Sequence, residues 1–114
     1  VTNPYPWLRQ YVVSRTMQTS PDSNVELVST DVSGFVRRLK QQDGKAIYLC
    51  GGAELAAHLL AEKLIDEIIL KLNPVLFGTG IPLFSGFDGS VSVYLIDGKS
   101  YPNGVILQSY KVVY

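Results

Sequence analysis

The chain has 114 residues, 46% of them hydrophobic, and its ten basic residues balance ten acidic ones. This length is that of one compact domain covering residues 1–114, and a formal net charge of zero gives no electrostatic footprint for nucleic acid or an anionic membrane surface. No apolar stretch approaches the roughly 20 residues of a membrane span, and a single cysteine, Cys50, excludes an internal disulfide. We therefore expect a cytoplasmic protein in which Cys50 is a small buried hydrophobe.

The first half of the chain alternates between strand and helix periodicity. Its first three predicted segments are a strand, a turn and a second strand, at residues 11–13, 20–24 and 25–28. Thr30 or Asp31 is placed to cap a helix that stops at Asp43-Gly44. This helix has an apolar stripe at i, i+3, i+4 and i+7, formed by Val32, Phe35, Val36 and Leu39.

The second half continues the alternation and ends in β-rich sequence. In order, the predicted elements are a strand at 46–50, a helix from Ala53 to about Lys63, a strand at 67–72, and strands at 91–96 and 105–114. The last two runs are joined through Asp97-Gly98 and Pro102-Asn103-Gly104, which predicts an antiparallel pair at one sheet edge. Strands alternating with helices predict an α/β layer with a mixed sheet.

The junction between the predicted strand at 46–50 and the following helix is the most informative local feature. Gly51 and Gly52 allow a ligand to approach the main chain, and the N–H groups at a helix start attract an anion. A phosphate-binding turn is one interpretation. The other is a tight packing corner, because two glycines do not make the full dinucleotide fingerprint.

Six segments taken in order resemble the C-terminal two thirds of a dihydrofolate reductase-like domain, in the branch of the bacterial bifunctional riboflavin-pathway deaminase-reductase and small stand-alone reductases. They are Tyr11–Thr16, Cys50–Leu55, Leu64–Leu70, Pro74–Phe84, Tyr101–Val105 and Tyr110–Val112. The resemblance implies a mixed, mainly parallel sheet flanked by helices, with a C-terminal antiparallel strand pair. It also implies that the N-terminal part of the fold, with its central strand, substrate-binding acid and Gly-Arg-X-Thr turn, is missing here.

The resemblance further implies two groups of NADPH-binding residues. Backbone N–H groups of the glycine turn would hold the pyrophosphate and nicotinamide side, through Gly51, Gly52, Ala53, Glu54 and Leu55. The peptide between the two glycines is often cis in relatives. The adenosine 2′-phosphate would be held by Ser14, Arg15 and Thr16, although Arg15 at a strand end is equally typical of a solvated edge charge.

Lys71 departs from the family pattern, where a small hydroxyl residue often stands close to the reacting ring. A lysine there would change the substrate pocket and argues against folate itself; alternatively, its ammonium group simply reaches water. The implied activity is NADPH-dependent reduction of a pteridine- or pyrimidine-type heterocycle, with no residue assignable as catalytic. The alternative is a non-catalytic nucleotide-binding or interaction module. A homodimer, or completion by a missing N-terminal segment, is expected.

Overall fold

The computed structural model describes residues 8–19 and 25–114, so the predicted turn at 20–24 lies outside the described residues. Seven elements follow in chain order: β1 (Gln10–Val13), β2 (Val25–Val28), α1 (Val32–Gln41), α2 (Ala53–Ala61), β3 (Glu67–Leu72), β4 (Ser92–Ser100) and β5 (Ile106–Val113). The chain divides into two compact units, Val1–Ile47 and Tyr48–Tyr114. Within the described residues, no helix is both long and apolar enough to cross a membrane.

The first unit is built from a parallel strand pair and one amphipathic helix. β1 pairs with β2 in parallel register, and Val25 and Val28 of β2 are buried. The Tyr11 ring on β1 meets the Phe35 ring of α1 edge-on, with 5.0 Å between their centroids, so the predicted apolar stripe of α1 is a packing surface. Asp31 caps α1, its carboxylate accepting from the Gly34 amide at 3.3 Å.

The second unit packs α2 with an antiparallel sheet whose strand order is β3-β5-β4. Its buried apolar residues are Ala57, Leu59 and Leu60 on α2 and Val112 on β5. The hydroxyl of Tyr114 donates to the Ile65 carbonyl oxygen at 2.7 Å and accepts from the Ile65 amide at 3.1 Å. The end of the chain therefore fastens the loop that leads from α2 into β3.

The predicted α/β class with parallel and antiparallel strands is confirmed, but the strands are divided between two sheets. Among the described residues, parallel pairing is confined to β1 and β2. The two closing strands do form an antiparallel pair, although β4 runs on through Asp97-Gly98, with an irregularity in register between Leu95 and Asp97. The turn between them is residues 101–105, where the Tyr101 amide donates to the Val105 carbonyl oxygen at 2.9 Å.

The predicted strand at 46–50 is wrong, because these residues belong to no strand. Ile47, Tyr48 and Leu49 are 55%, 84% and 40% exposed. Cys50 is also exposed, which corrects the expectation of a buried thiol. The run has the composition of a buried strand, but a strand also needs a neighbour to accept its backbone hydrogen bonds, and no described segment pairs with it.

Candidate functional site

The glycine turn before α2 has the backbone conformation that its sequence requires. Gly51 and Gly52 have φ values of 93° and 84°, in the region that side chains disfavour. Both residues are exposed, and a Cβ atom added to Gly51 would meet nothing within 4 Å. The peptide between them is trans, since the described residues contain no cis bond. The main chain is thus open to a ligand at this turn.

The start of α2 offers backbone donors next to that turn. The Ala56 amide donates to the Gly52 carbonyl oxygen at 2.9 Å, which begins the helical ladder, and Gly52 supplies no side-chain cap. Helix geometry leaves the amides of Ala53 and Leu55 without an intrahelical acceptor. Glu54 places a carboxylate in the same turn. This charge interacts favourably with the positive end of the helix dipole but would repel a phosphate at close range.

A cleft of about 310 Å³ lies at this turn. It brings together the glycine turn and part of the run from Pro74 to Phe84. Its lining residues are Leu49, Gly51, Gly52, Ala53, Ala56, Ile81, Pro82 and Leu83. A hydrogen bond of 3.2 Å from the Ser85 amide to the Ala53 carbonyl oxygen ties this loop to the first turn of α2. The cleft therefore has a main-chain side and an apolar side.

The segment that follows β1 forms a turn organised by Ser14. The Ser14 amide donates to the Val28 carbonyl oxygen at 3.1 Å, so this residue extends the pairing with β2. Its hydroxyl oxygen accepts from the Thr16 amide at 3.3 Å and from the Met17 amide at 3.0 Å. Arg15 and Thr16 lie exposed at the tip of this turn. Their assignment to the adenosine 2′-phosphate stays a prediction.

Lys71 lies on the sheet of the second unit and does not line the cleft at the glycine turn. It is exposed on β3 and is paired with Leu107 of β5. By alternation its side chain is on the opposite face from Ile68, which helps to line a hollow of about 270 Å³ with Leu60 of α2. The lining of that hollow is mainly apolar. No motif in the sequence predicts the hollow, because its lining residues are isolated apolar residues. The role of Lys71 in a substrate pocket stays a prediction.

The described residues contain no group of three or more histidine, cysteine, aspartate or glutamate side chains placed to hold a metal ion. At the glycine turn, the donors are backbone amides at the start of a helix, beside glycines that leave room for a ligand. Backbone amides of this kind bind phosphate groups. The arrangement fits the phosphate part of a dinucleotide.

Comparison with known proteins places this geometry in a family. Residues 5–107 match the model of the RibD C-terminal domain. Two Bacillus subtilis (strain 168) proteins, both described as uncharacterized, are similar to the chain. YwjB is 34% identical over 91% of the chain, and YyaP is 32% identical over 86% of it.

Two solved structures are also similar. One is a putative riboflavin biosynthesis protein of Shewanella sp. PV-4, with a TM-score of 0.76 and 27% identity, covering 91% of this chain and 60% of that one. The other is a pyrimidine reductase-like protein of Corynebacterium diphtheriae, with a TM-score of 0.64 and 26% identity, covering 79% of this chain and 38% of that one. The chain spans 60% of the length of YwjB and 52% of that of YyaP. With residues 5–107 matched, the chain belongs to the RibD C-terminal domain family.

Proposed function

We propose that this domain serves an NADPH-dependent reductase acting on a pteridine- or pyrimidine-type heterocycle. The observation that carries the proposal is the cleft at the glycine turn, in a chain that belongs to this family. Two glycines with positive φ and the start of α2 form its main-chain side, and Ile81, Pro82 and Leu83 form its apolar side. A dinucleotide needs both, because its phosphates seek N–H donors and its rings seek apolar contact.

The residues of the chain then have distinct tasks. When bound, NADPH supplies the hydride, so the protein's own part is to bind, orient and exclude water. The amides around Gly51 and Gly52 would hold phosphate oxygens, while Ile81 and Leu83 would keep water from the ring system. Arg15 would give charge-assisted hydrogen bonds to a 2′-phosphate and thereby distinguish NADPH from NADH.

The test is a pair of titrations of the purified chain, with NADPH and with NADH, followed by quenching of the reduced nicotinamide fluorescence. We expect saturable quenching with NADPH and at least roughly tenfold weaker binding of NADH, the preference that one charge-assisted contact to the 2′-phosphate provides. The bound protein is then assayed with a panel of pterins and pyrimidines for loss of NADPH absorbance.

The outcomes separate the alternatives. NADPH binding with turnover of one heterocycle supports the proposed reductase. NADPH binding without turnover of any panel member, both by this chain and by a longer protein that carries the N-terminal part of the fold, favours the non-catalytic nucleotide-binding module instead. Absence of saturable binding for both cofactors contradicts both functions, provided that circular dichroism shows a folded chain.

A further inference from the structure

The hairpin turn that joins β4 to β5 contains an asparagine followed by a glycine. The Gly104 amide donates to the Tyr101 carbonyl oxygen at 3.0 Å, and the Tyr101 amide donates to the Val105 carbonyl oxygen at 2.9 Å. Pro102 and Asn103 therefore occupy the two central positions of a tight turn. Asn103 is exposed, so water reaches its side chain.

The backbone of this turn requires glycine at position 104. Its φ is 90°, in the left-handed region that side chains disfavour. A Cβ atom added to Gly104 would lie 3.1 Å from Cγ of Pro74, so a side chain would not fit without a shift. The turn therefore keeps, directly after Asn103, the residue that shields the main chain least.

The carboxamide of Asn103 folds back on the main chain that follows it. Its Oδ1 accepts from the Val105 amide at 3.2 Å, which forms an Asx turn. The ring closed by this hydrogen bond includes the Gly104 nitrogen, so the carboxamide carbon is held near that nitrogen. The Val105 N–H also points at the oxygen on which negative charge develops when a nucleophile adds to this carbon, and such a donor stabilises the transition state.

We infer that Asn103 is a site of spontaneous deamidation in the folded protein. The Gly104 nitrogen loses its proton to hydroxide and attacks Cγ of Asn103. The new N–C bond closes a succinimide ring, and the side-chain nitrogen takes a proton from water and leaves as ammonia. Water then opens the ring at either carbonyl, which gives aspartate or isoaspartate at position 103. The net reaction consumes water, releases ammonia and involves no oxidation or reduction.

The reaction is selective within the second unit. Its two asparagines, Asn73 and Asn103, are both exposed. The nitrogen after Asn73 belongs to Pro74 and carries no proton to lose, so it cannot close the same ring. The Gly104 nitrogen must first release its hydrogen bond to Tyr101, and because Gly104 is exposed, local opening of the turn exposes that amide to hydroxide.

The two products differ in their effect on the hairpin. Aspartate leaves the main chain unchanged and keeps an oxygen that accepts from the Val105 amide. Isoaspartate routes the main chain through Cβ, which adds an atom to a loop whose length sets the pairing of β4 with β5. We therefore expect isoaspartate, but not aspartate, to loosen the hairpin.

Ageing of the purified full chain under native conditions, followed by peptide mass mapping, tests the inference. The peptide with Asn103 should gain the mass difference between a hydroxyl and an amino group and become a substrate for an isoaspartyl methyltransferase. Both changes should be faster in mildly alkaline than in mildly acidic buffer, whereas the peptide with Asn73 should stay unchanged. Asn103→Gln is the matched variant, and it should show neither change, because the longer side chain would have to close a larger ring.

Thermal unfolding checks the effect on the hairpin. The aged wild-type chain should unfold at a lower temperature than the fresh chain, while fresh Asn103→Asp and aged Asn103→Gln should match the fresh chain. An unchanged Asn103 after ageing would overturn the inference. So would equal conversion at Asn73, or conversion only in denaturant, since the fold would then protect the site. An aged chain that carries isoaspartate and unfolds like the fresh one would refute the predicted loosening.

Discussion

Two turns of this chain are candidates for phosphate recognition, and they are built in opposite ways. The turn at Gly51 and Gly52 presents its main chain, with positive φ values and an added Cβ at Gly51 meeting only open space. In the turn after β1, two main-chain amides already donate to the Ser14 hydroxyl oxygen. This turn instead presents the exposed side chains of Arg15 and Thr16. One turn offers backbone donors and the other offers side-chain donors.

This difference decides what kind of discrimination each turn can give. Backbone amides bind any phosphate of the right shape, so the glycine turn would hold the pyrophosphate that NADPH and NADH share. A guanidinium group adds a charge at one place, so Arg15 would respond to the additional 2′-phosphate. Substitutions at the glycine turn should therefore weaken the binding of both cofactors alike. Substitutions at the turn after β1 should change the ratio of the NADPH and NADH dissociation constants.

The largest effect is expected for Gly51→Ala. Alanine at a φ of 93° costs about 1–3 kcal/mol in backbone strain, and its Cβ would occupy the open space in the cleft that a phosphate needs. The strain lowers the free energy of unfolding, whereas the blocked space weakens binding. We expect NADPH and NADH binding to weaken together by roughly a hundredfold, the effect of losing one or two charge-assisted hydrogen bonds to the phosphates that both cofactors share. Fluorescence titration with each cofactor measures this.

Gly86→Ala separates strain from blocked access. Gly86 also has a positive φ, 82°, and open space around an added Cβ, and it lines neither described cleft. Both variants should lower the free energy of unfolding by a similar amount, while only Gly51→Ala should weaken cofactor binding. Equal loss of binding in the two would show that the turn acts only through stability.

A smaller and more selective effect is expected for Arg15→Ala. Removing the guanidinium should weaken NADPH binding by roughly tenfold, since the contact is exposed to solvent, and leave NADH binding unchanged. Arg9→Ala is the control, because Arg9 is an exposed arginine just before β1 rather than after its end. Equal weakening of both cofactors in Arg15→Ala, or the same shift in Arg9→Ala, would refute the assigned role.

Local sequence chemistry was sufficient for most elements of the fold. β2 and β3 lie where alternation predicted them, and α1 begins after Asp31 because its carboxylate accepts from the amide of Gly34. α2 begins at Ala53, directly after the glycine pair. In each case the signal lies within a few residues of the boundary. The sequence does not predict which sheet each strand joins, because that depends on pairing between distant segments.

The failures have the same origin. Residues 46–50 have the composition of a strand but no partner within residues 8–19 and 25–114, and composition does not specify a partner. The hollow of about 270 Å³ unites Leu60, Ile68 and Val93, which are separated in sequence and carry no motif. At the candidate site, the glycine turn was recognisable because glycine is the residue that its φ values demand. Which residues of the run from Pro74 to Phe84 face that turn depends on contacts between distant segments, and the fold identifies them as Ile81, Pro82 and Leu83.

The smallest effect is expected for Ser14→Ala, which tests whether the turn after β1 needs its internal hydrogen bonds. The Ser14 hydroxyl oxygen accepts from the amides of Thr16 and Met17, and both bonds are at exposed positions where water can replace the lost acceptor. The free energy of unfolding should therefore fall by only about 0.5–1.5 kcal/mol, less than for a buried loss.

Since Arg15 keeps its charge in this variant, NADPH binding should weaken by less than in Arg15→Ala, through a looser turn. Thermal unfolding and NADPH titration measure the two effects, with Ser29→Ala as an exposed serine control in the same unit. A loss of NADPH binding larger than that of Arg15→Ala would mean that the hydroxyl itself, and not the guanidinium group, is the principal phosphate donor of this turn.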